Sequence, residues 1–241
     1  MVNCLESPYA AGRPNWNSLY RARGEEINAA RPILTGDVFA DMELPGSTGK
    51  IKKRCVIVLQ HPCSMREDGT SLRWQLLVAK VKKRSILEES AWRGNYALMP
   101  LPDLFPHAEG KERNYAATFN NLHTVAPSTL VNRVACLDPL GLNLLLQRWV
   151  HDNSRVIVPT SSFQEQSASY YEEADLMEEW CDERGAETVE EIKEAQDDCL
   201  KWLREEIGSG MKRQEMLKDN QKRSTVRREM RAHFKAGHRA K

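Results

Sequence analysis

Four cations, Lys50, Lys52, Lys53 and Arg54, stand immediately before the apolar run Cys55-Val56-Ile57-Val58-Leu59. A short β-branched run of this kind is expected to be a buried strand, which places the cations at its mouth. There they form either an anion site or simply a solvated loop. A guanidinium stays charged, forks its donors onto a phosphate and stabilises charge that grows in a transition state. Beyond Arg54 comes His61-Pro62-Cys63-Ser64-Met65. His61, with an ordinary pKa of about 6.5, has the chemistry of a general base towards a hydroxyl. Cys63 becomes a thiolate nucleophile if nearby cations lower its pKa. The alternative is a turn fixed by Pro62, with Cys63 a small buried side chain.

Other chemistries lack their residues. The six cysteines contain no Cys-x-x-Cys pair, and His107, His123, His151, His233 and His238 have no metal-site spacing. Neither a P-loop nor a Gly-x-Gly-x-x-Gly occurs, so no metal and no cofactor is expected. No apolar run approaches the roughly 18 residues of a membrane helix. The N-terminus has no secretion-signal pattern. A reducing cytoplasm is the expected compartment.

The positioning elements follow from periodicity. Val38, Ala40, Met42 and Leu44 alternate with Asp37, Phe39, Asp41 and Glu43, which predicts a strand; Pro45, Gly46 and Gly49 then mark a turn into the run at 55–59. Residues 72–81 are expected to be a third strand, closed by Lys80, Lys82, Lys83 and Arg84. Residues 95–100 predict a fourth, and 115–125 one or two more. Short strands between Gly/Pro turns favour a small β-barrel. Asp138-Pro139 predicts a capped helix through Asp152, and 155–159 a last edge strand. Before the barrel, a short helix ending before Pro32 is expected, with Trp16, Leu19, Tyr20 and Ile27 on the barrel surface.

The formal net charge of +1 conceals segregation. Residues 162–207 are heavily acidic and predict two helices, about 170–184 and 188–207, the second with a Thr188/Glu191 capping box. Gly208-Ser209-Gly210 reads as a linker, and the basic tail beyond it as a solvated helix or a disordered end. That tail is suited to RNA or ribosome contacts. The acidic helices are suited to covering a basic groove. The expected organisation is an arm over 1–34, a barrel with closing helix over 35–157, an acidic helical extension over 158–208 and a basic tail over 209–241.

Two segments resemble the PemK/MazF toxins, a family of SH3-like barrels. The first is Gly36 to Gln60, with its Gly-Asp-Val strand, Gly-containing loop and apolar strand entered from an arginine. The second is Leu122-His123-Thr124-Val125, followed by Leu130, Val134, Leu137 and the helix from Pro139. The likeness covers about residues 35–60 and 119–150. It implies a metal-independent endoribonuclease acting on single-stranded RNA, usually a homodimer, with an antitoxin protein as partner. Arg54 falls on the arginine that serves the scissile phosphate. Lys82 stands where the family has a phosphate-binding threonine or serine, and Cys55 where it usually has proline. Lysine still neutralises a phosphate as a point charge. His61 is then the candidate base on a ribose 2′-hydroxyl, and Lys50, Lys52, Lys53, Lys83 and Arg84 line the RNA groove. A catalytically silent barrel that binds nucleic acid or a protein partner is the alternative from another class.

Overall fold

The strand pair expected over residues 36–60 is the centre of an antiparallel sheet. The computed structural model describes all residues except 1–3, 11–12, 15–16, 47–48, 67–70, 86–87, 95–96, 110–112, 209 and 240–241. Contacts divide the chain into two units, residues 1–27 with 33–165, and residues 28–32 with 166–241. The acidic helices beyond residue 165 and the basic tail belong to one unit.

The first unit contains β1 (Tyr9–Ala10), β2 (Arg13–Pro14), β3 (Tyr20–Arg23), β4 (Val38–Pro45), β5 (Ile51–Val58), α1 (Pro62–Met65), β6 (Leu76–Lys83), α2 (Glu89–Gly94), β7 (Leu98–Leu101), β8 (Tyr115–Val125), β9 (Arg133–Leu137) and α3 (Pro139–Ser154). β1 and β2 pair with each other; the other seven strands form one sheet in the order β3-β9-β4-β5-β6-β8-β7. The fold is α+β. The sheet is open: among the described residues no backbone ladder joins edge strands β3 and β7. Side chains bridge the edges instead. The Tyr20 hydroxyl donates to the Pro102 carbonyl at 2.8 Å, and Arg23 donates to the Asp103 carbonyl at 2.6 Å and its carboxylate at 3.0 Å. Burial holds the Tyr20 phenol far above its usual pKa, so it remains a donor.

Strand alternation gives the sheet two apolar faces. Val38, Ile57, Ala79 and Val81 pack with Leu144 and Leu145 of α3 and with Trp92 of α2. Phe39, Val56, Val58, Leu76 and Val78 pack on the opposite face with Met65 and Val125. The Gly-Asp-Val motif is structural. Gly36 has φ +86°, and a Cβ there would meet the Leu137 side chain at 3.0 Å. Asp37 is buried, accepts the Leu34 N–H at 3.0 Å and pairs with Arg133 at 3.4 Å. α3 starts as expected, with Asp138 accepting the Leu140 N–H at 3.1 Å.

Four local expectations are corrected. Residues 20–23 form a strand, not a helix, because Tyr20 and Ala22 pair with Leu137 and Cys136 of β9. Leu19 and Tyr20 are consequently buried in the core; Trp16 lies outside the described residues. The third strand begins at Leu76 and the fourth at Leu98, while Asn95 and Tyr96 lie outside the described residues. Residues 155–159 are not a strand: Arg155 ends α3 with φ +60°, and the Val158 carbonyl accepts from the Gln147 side chain at 2.8 Å.

In the second unit, α4 (Thr160–Arg184, joining it at Gln166), α5 (Val189–Arg204), α6 (Arg213–Met216) and α7 (Asn220–Arg239) surround Trp180, Trp202, Cys199 and Leu203. The basic tail is a packed helix and not a disordered end, because Val226 and Met230 are fully buried in this core. Its arginines meet the acidic helix directly: Arg227 reaches Glu172 at 2.8 Å and Glu179 at 3.1 Å, and Arg231 reaches Glu179 at 3.1 Å. The segregated charges thus neutralise each other within one unit. Ser209 of the expected linker lies outside the described residues.

Candidate functional site

Alternation on two neighbouring strands builds the site. Along β5 the face that carries Val58 and Val56 continues as Arg54 and Lys52; along β6 the face that carries Leu76 and Val78 continues as Lys80 and Lys82. The antiparallel register pairs Val56 with Lys80 and Cys55 with Val81, and one further step sets Arg54 opposite Lys82. On the other side, Arg54 pairs with Met42 and Lys52 with Leu44 of β4. Four cations therefore share one sheet face where its apolar columns run out of the core.

Their charges are uncompensated. Among the described residues, Lys52, Arg54, Lys80 and Lys82 form no ion pair, and the Arg54 Nε is buried without an acceptor. Desolvation, followed by the charges of Arg54, Lys82 and Lys52, holds the Lys80 ammonium below its usual pKa. Desolvation and then Lys80 likewise lower His123 of β8.

A cavity of about 620 Å³ opens over this end of the sheet, with Arg54, Lys53, Lys80, Lys82 and Lys83 in its walls beside Asp41, Cys55, Phe105 and Tyr115. Asp41 is the carboxylate among its described lining residues. It sits at an irregularity of β4 with φ +59°, a left-handed conformation that Asp tolerates better than most residues, and accepts from Asn132 Nδ2 at 2.8 Å. A second groove of about 730 Å³ shares Asp41 and runs past Met42, Leu44 and His123. The two openings give an extended anion several places to lie.

The structure thus brings Arg54 and Lys82 onto one sheet face, while Lys53 and Lys83 alternate onto the other; all four residues line the cavity at the strand ends. Lys52 shares the face of Arg54 without lining the cavity; Lys50 and Arg84 lie just outside the strand ends, exposed. His61 is elsewhere. It caps α1, where its Nδ1 lies 3.3 Å from the Cys63 N–H and 2.9 Å from Cys63 Sγ, and burial lowers its pKa. Four extended residues of β5, about 13 Å, separate Arg54 from Val58 before the chain even reaches the His61 turn. His61 does not line the Arg54 cavity. The sequence reading missed Asp41, Phe105 and Tyr115 as site residues, and passed over Lys80, although its i, i+2 relation to Lys82 on a strand was available.

The thiols offer an independent check on this geometry. Burial pushes Cys55 up to about 12 and Cys181 up to about 11, and raises Cys199 further. Iodoacetamide at pH 8 is expected to modify exposed Cys4 and Cys63 in the native protein, and to reach Cys55, Cys136, Cys181 and Cys199 only after denaturation. Peptide mapping by mass spectrometry checks this, and rapid native labelling of Cys55 would contradict it.

The chain matches no protein-family model and no curated protein.

Proposed function

We propose that the chain is a metal-independent endoribonuclease of PemK/MazF type, acting on single-stranded RNA, and that its curled sheet is an SH3-like barrel. The observation that carries this reading is the Arg54 guanidinium, which shares one sheet face with Lys52, Lys80 and Lys82 and forms no ion pair among the described residues. A guanidinium among like charges gains most from an anionic partner, and a phosphate accepts its donors as a fork. A row of cations along β5 and β6 suits a repeating phosphate backbone better than a single small anion. The family likeness adds a homodimer and an antitoxin protein as partners.

In this reading Arg54 holds the scissile phosphate and Lys82 neutralises it from the opposite strand. The ribose 2′-oxygen bonds to phosphorus while its proton passes to the Asp41 carboxylate, which takes the role expected of His61. The bond from phosphorus to the 5′-oxygen breaks, and that oxygen takes a proton from the Lys80 ammonium. The products are a 2′,3′-cyclic phosphate and a 5′-hydroxyl end. Lysine is well suited to the donor role when neighbouring cations make it a stronger acid.

A second reading, an RNA-binding barrel without cleavage, is favoured by Lys82 in place of the family's hydroxyl residue. Incubation of single-stranded RNA with the protein in EDTA separates the two. Cleavage is expected in EDTA, with the rate lowered about 100-fold or more in Asp41→Asn. Binding without cleavage in the wild type would replace the first reading by the second.

A further inference from the structure

The face that carries Arg54 and Lys80 continues onto a third strand. His123 of β8 pairs with Val78 of β6 and stands two residues before Val125, so it shares the face on which Val78 and Val125 pack. Lys80 is the next residue of β6 on that face, which makes His123 and Lys80 diagonal neighbours, about 7–8 Å apart at their backbones. Arg54 is diagonal to Lys80 from the other side, through the Val56–Lys80 pair. A register break sets this placement. Ala79 pairs with Leu122 and Lys80 with Thr118, so residues 119–121 have no partner on β6, and the Thr118 hydroxyl fixes the break by donating to the Lys80 carbonyl at 3.1 Å.

His123 lines the groove of about 730 Å³ with Met42, Leu44 and Val125, and Asp41 joins that groove to the cavity of Arg54, Lys80 and Lys82. The imidazole is half-buried and, among the described residues, forms no hydrogen bond and no ion pair. Burial, and then the charge of Lys80, hold it below its ordinary pKa, so the ring is neutral at pH 7. The charged groups around it are Lys80 and Lys82 of β6, Arg54 and Lys52 of β5, and Asp41 and Glu43 of β4. Glu43 alternates away from Met42 and Leu44 onto the other side of β4, so the face that His123 shares is cationic.

We propose that His123 is a proton-linked phosphate contact: when the RNA strand held at Arg54 lays a further phosphate in the groove, His123 takes up a proton from solvent and donates a hydrogen bond to that phosphate. The spacing calls for a second phosphate and not the one at Arg54. Four residues along the strands and two strand spacings across them separate His123 from Arg54, about 16 Å. A phosphate between His123 and Lys80 offsets the repulsion that disfavours the imidazolium, so anion and proton bind together. The bound pKa then lies above the free one, and the extra affinity is present at low pH and lost as pH rises through the bound value. A peptide side chain on Met42 and Leu44 would gain nothing from Lys80 and His123. A free phosphate at Arg54 would not reach His123; a strand reaches both.

This inference rests on the reading of Arg54 as a phosphate site, and the experiment separates the two. Full-length protein is titrated by fluorescence anisotropy with a labelled 2′-O-methyl oligouridylate, which cannot be cleaved, at about pH 5.5 and about pH 7.5 and equal ionic strength. The wild type is expected to bind about 3- to 10-fold more tightly at the lower pH, as a rise of up to about one unit in the imidazole pKa dictates. His123→Gln, which keeps a polar side chain that does not titrate, is expected to match the wild type at the higher pH and to lose the gain. Calorimetry of the wild type in two buffers of unlike ionisation enthalpy counts the same proton without a variant, should His123→Gln fold poorly; net proton uptake on binding is expected. No gain in the wild type, an equal gain in His123→Gln or no proton uptake, with binding still weakened by Arg54→Ala, overturns the His123 contact and leaves the phosphate site standing. Binding at neither pH overturns both.

Discussion

Arg54→Ala is expected to weaken single-stranded RNA binding about 10- to 100-fold, the equivalent of charged hydrogen bonds worth about 1.5–3 kcal/mol. Cleavage is expected to fall by a further factor of about 100 to 1,000, because donors aimed at a phosphate act most strongly on the charge of the transition state. Arg54→Lys should recover part of the binding and little of the rate, since an ammonium supplies a point charge without the planar fork. Stability should move the other way. The guanidinium shares its sheet face with Lys52, Lys80 and Lys82, has no ion pair among the described residues and buries its Nε without an acceptor. Its removal relieves repulsion and a buried orphan donor, so thermal denaturation should show an unchanged or higher Tm. A variant that lost binding together with stability would instead mark Arg54 as a structural residue.

Gly141→Ala is expected to have the largest effect on the fold. A Cβ at Gly141 would lie 2.3 Å from the Leu19 carbonyl oxygen and 3.1 Å from its carbon. That same carbonyl accepts the Asp138 N–H at 2.9 Å, so the first turn of α3 is seated directly on backbone and not on a side chain that can swing away. Helix propensity alone would favour alanine by about 1 kcal/mol. Forcing the helix off Leu19 costs about 3 kcal/mol or more, and this larger effect decides the sign. For a unit of this size the net loss of about 2 kcal/mol corresponds to a fall in Tm of about 4–8 °C. An unchanged or raised Tm would mean that α3 does not approach Leu19 this closely.

What was legible in the sequence was local. β4 and β5 follow from alternation, a Gly/Pro turn and a β-branched run. α3 follows from Asp138-Pro139, and α5 from the Thr188/Glu191 box, which forms with both hydrogen bonds present. What was illegible depended on distant partners. Tyr20–Arg23 is a strand only because Arg133–Leu137, more than a hundred residues away, offers it an edge. Val226 and Met230 read as isolated apolar residues in a cationic tail until Trp180 and Trp202 supply the surface that buries them. Val156, Ile157 and Val158 look like a strand by composition, yet the left-handed Arg155 turns the chain and Gln147 takes the Val158 carbonyl.

The same division holds at the site. Arg54 and its lysines were visible as a charge run before an apolar strand. His61 seemed close because it is near in sequence, but an extended strand carries the chain away at about 3.3 Å per residue. Asp41 was hidden because it sits at a strand irregularity, and one displaced residue changes which side chains face a cavity. Tyr115 lies outside the charge run and comes beside Lys83 through the β6–β8 pairing, and Phe105 packs on the Tyr115 ring.

The salt dependence of single-stranded RNA binding by wild type and Arg54→Ala tests the central claim most directly, because phosphate contacts release counterions and each leaves its mark on the slope. With four cations on the binding face, log K against log salt should fall with a slope of about −3, and Arg54→Ala should flatten it by about 0.7. A slope near zero, or one that Arg54→Ala leaves unchanged, would contradict a phosphate-binding site at Arg54.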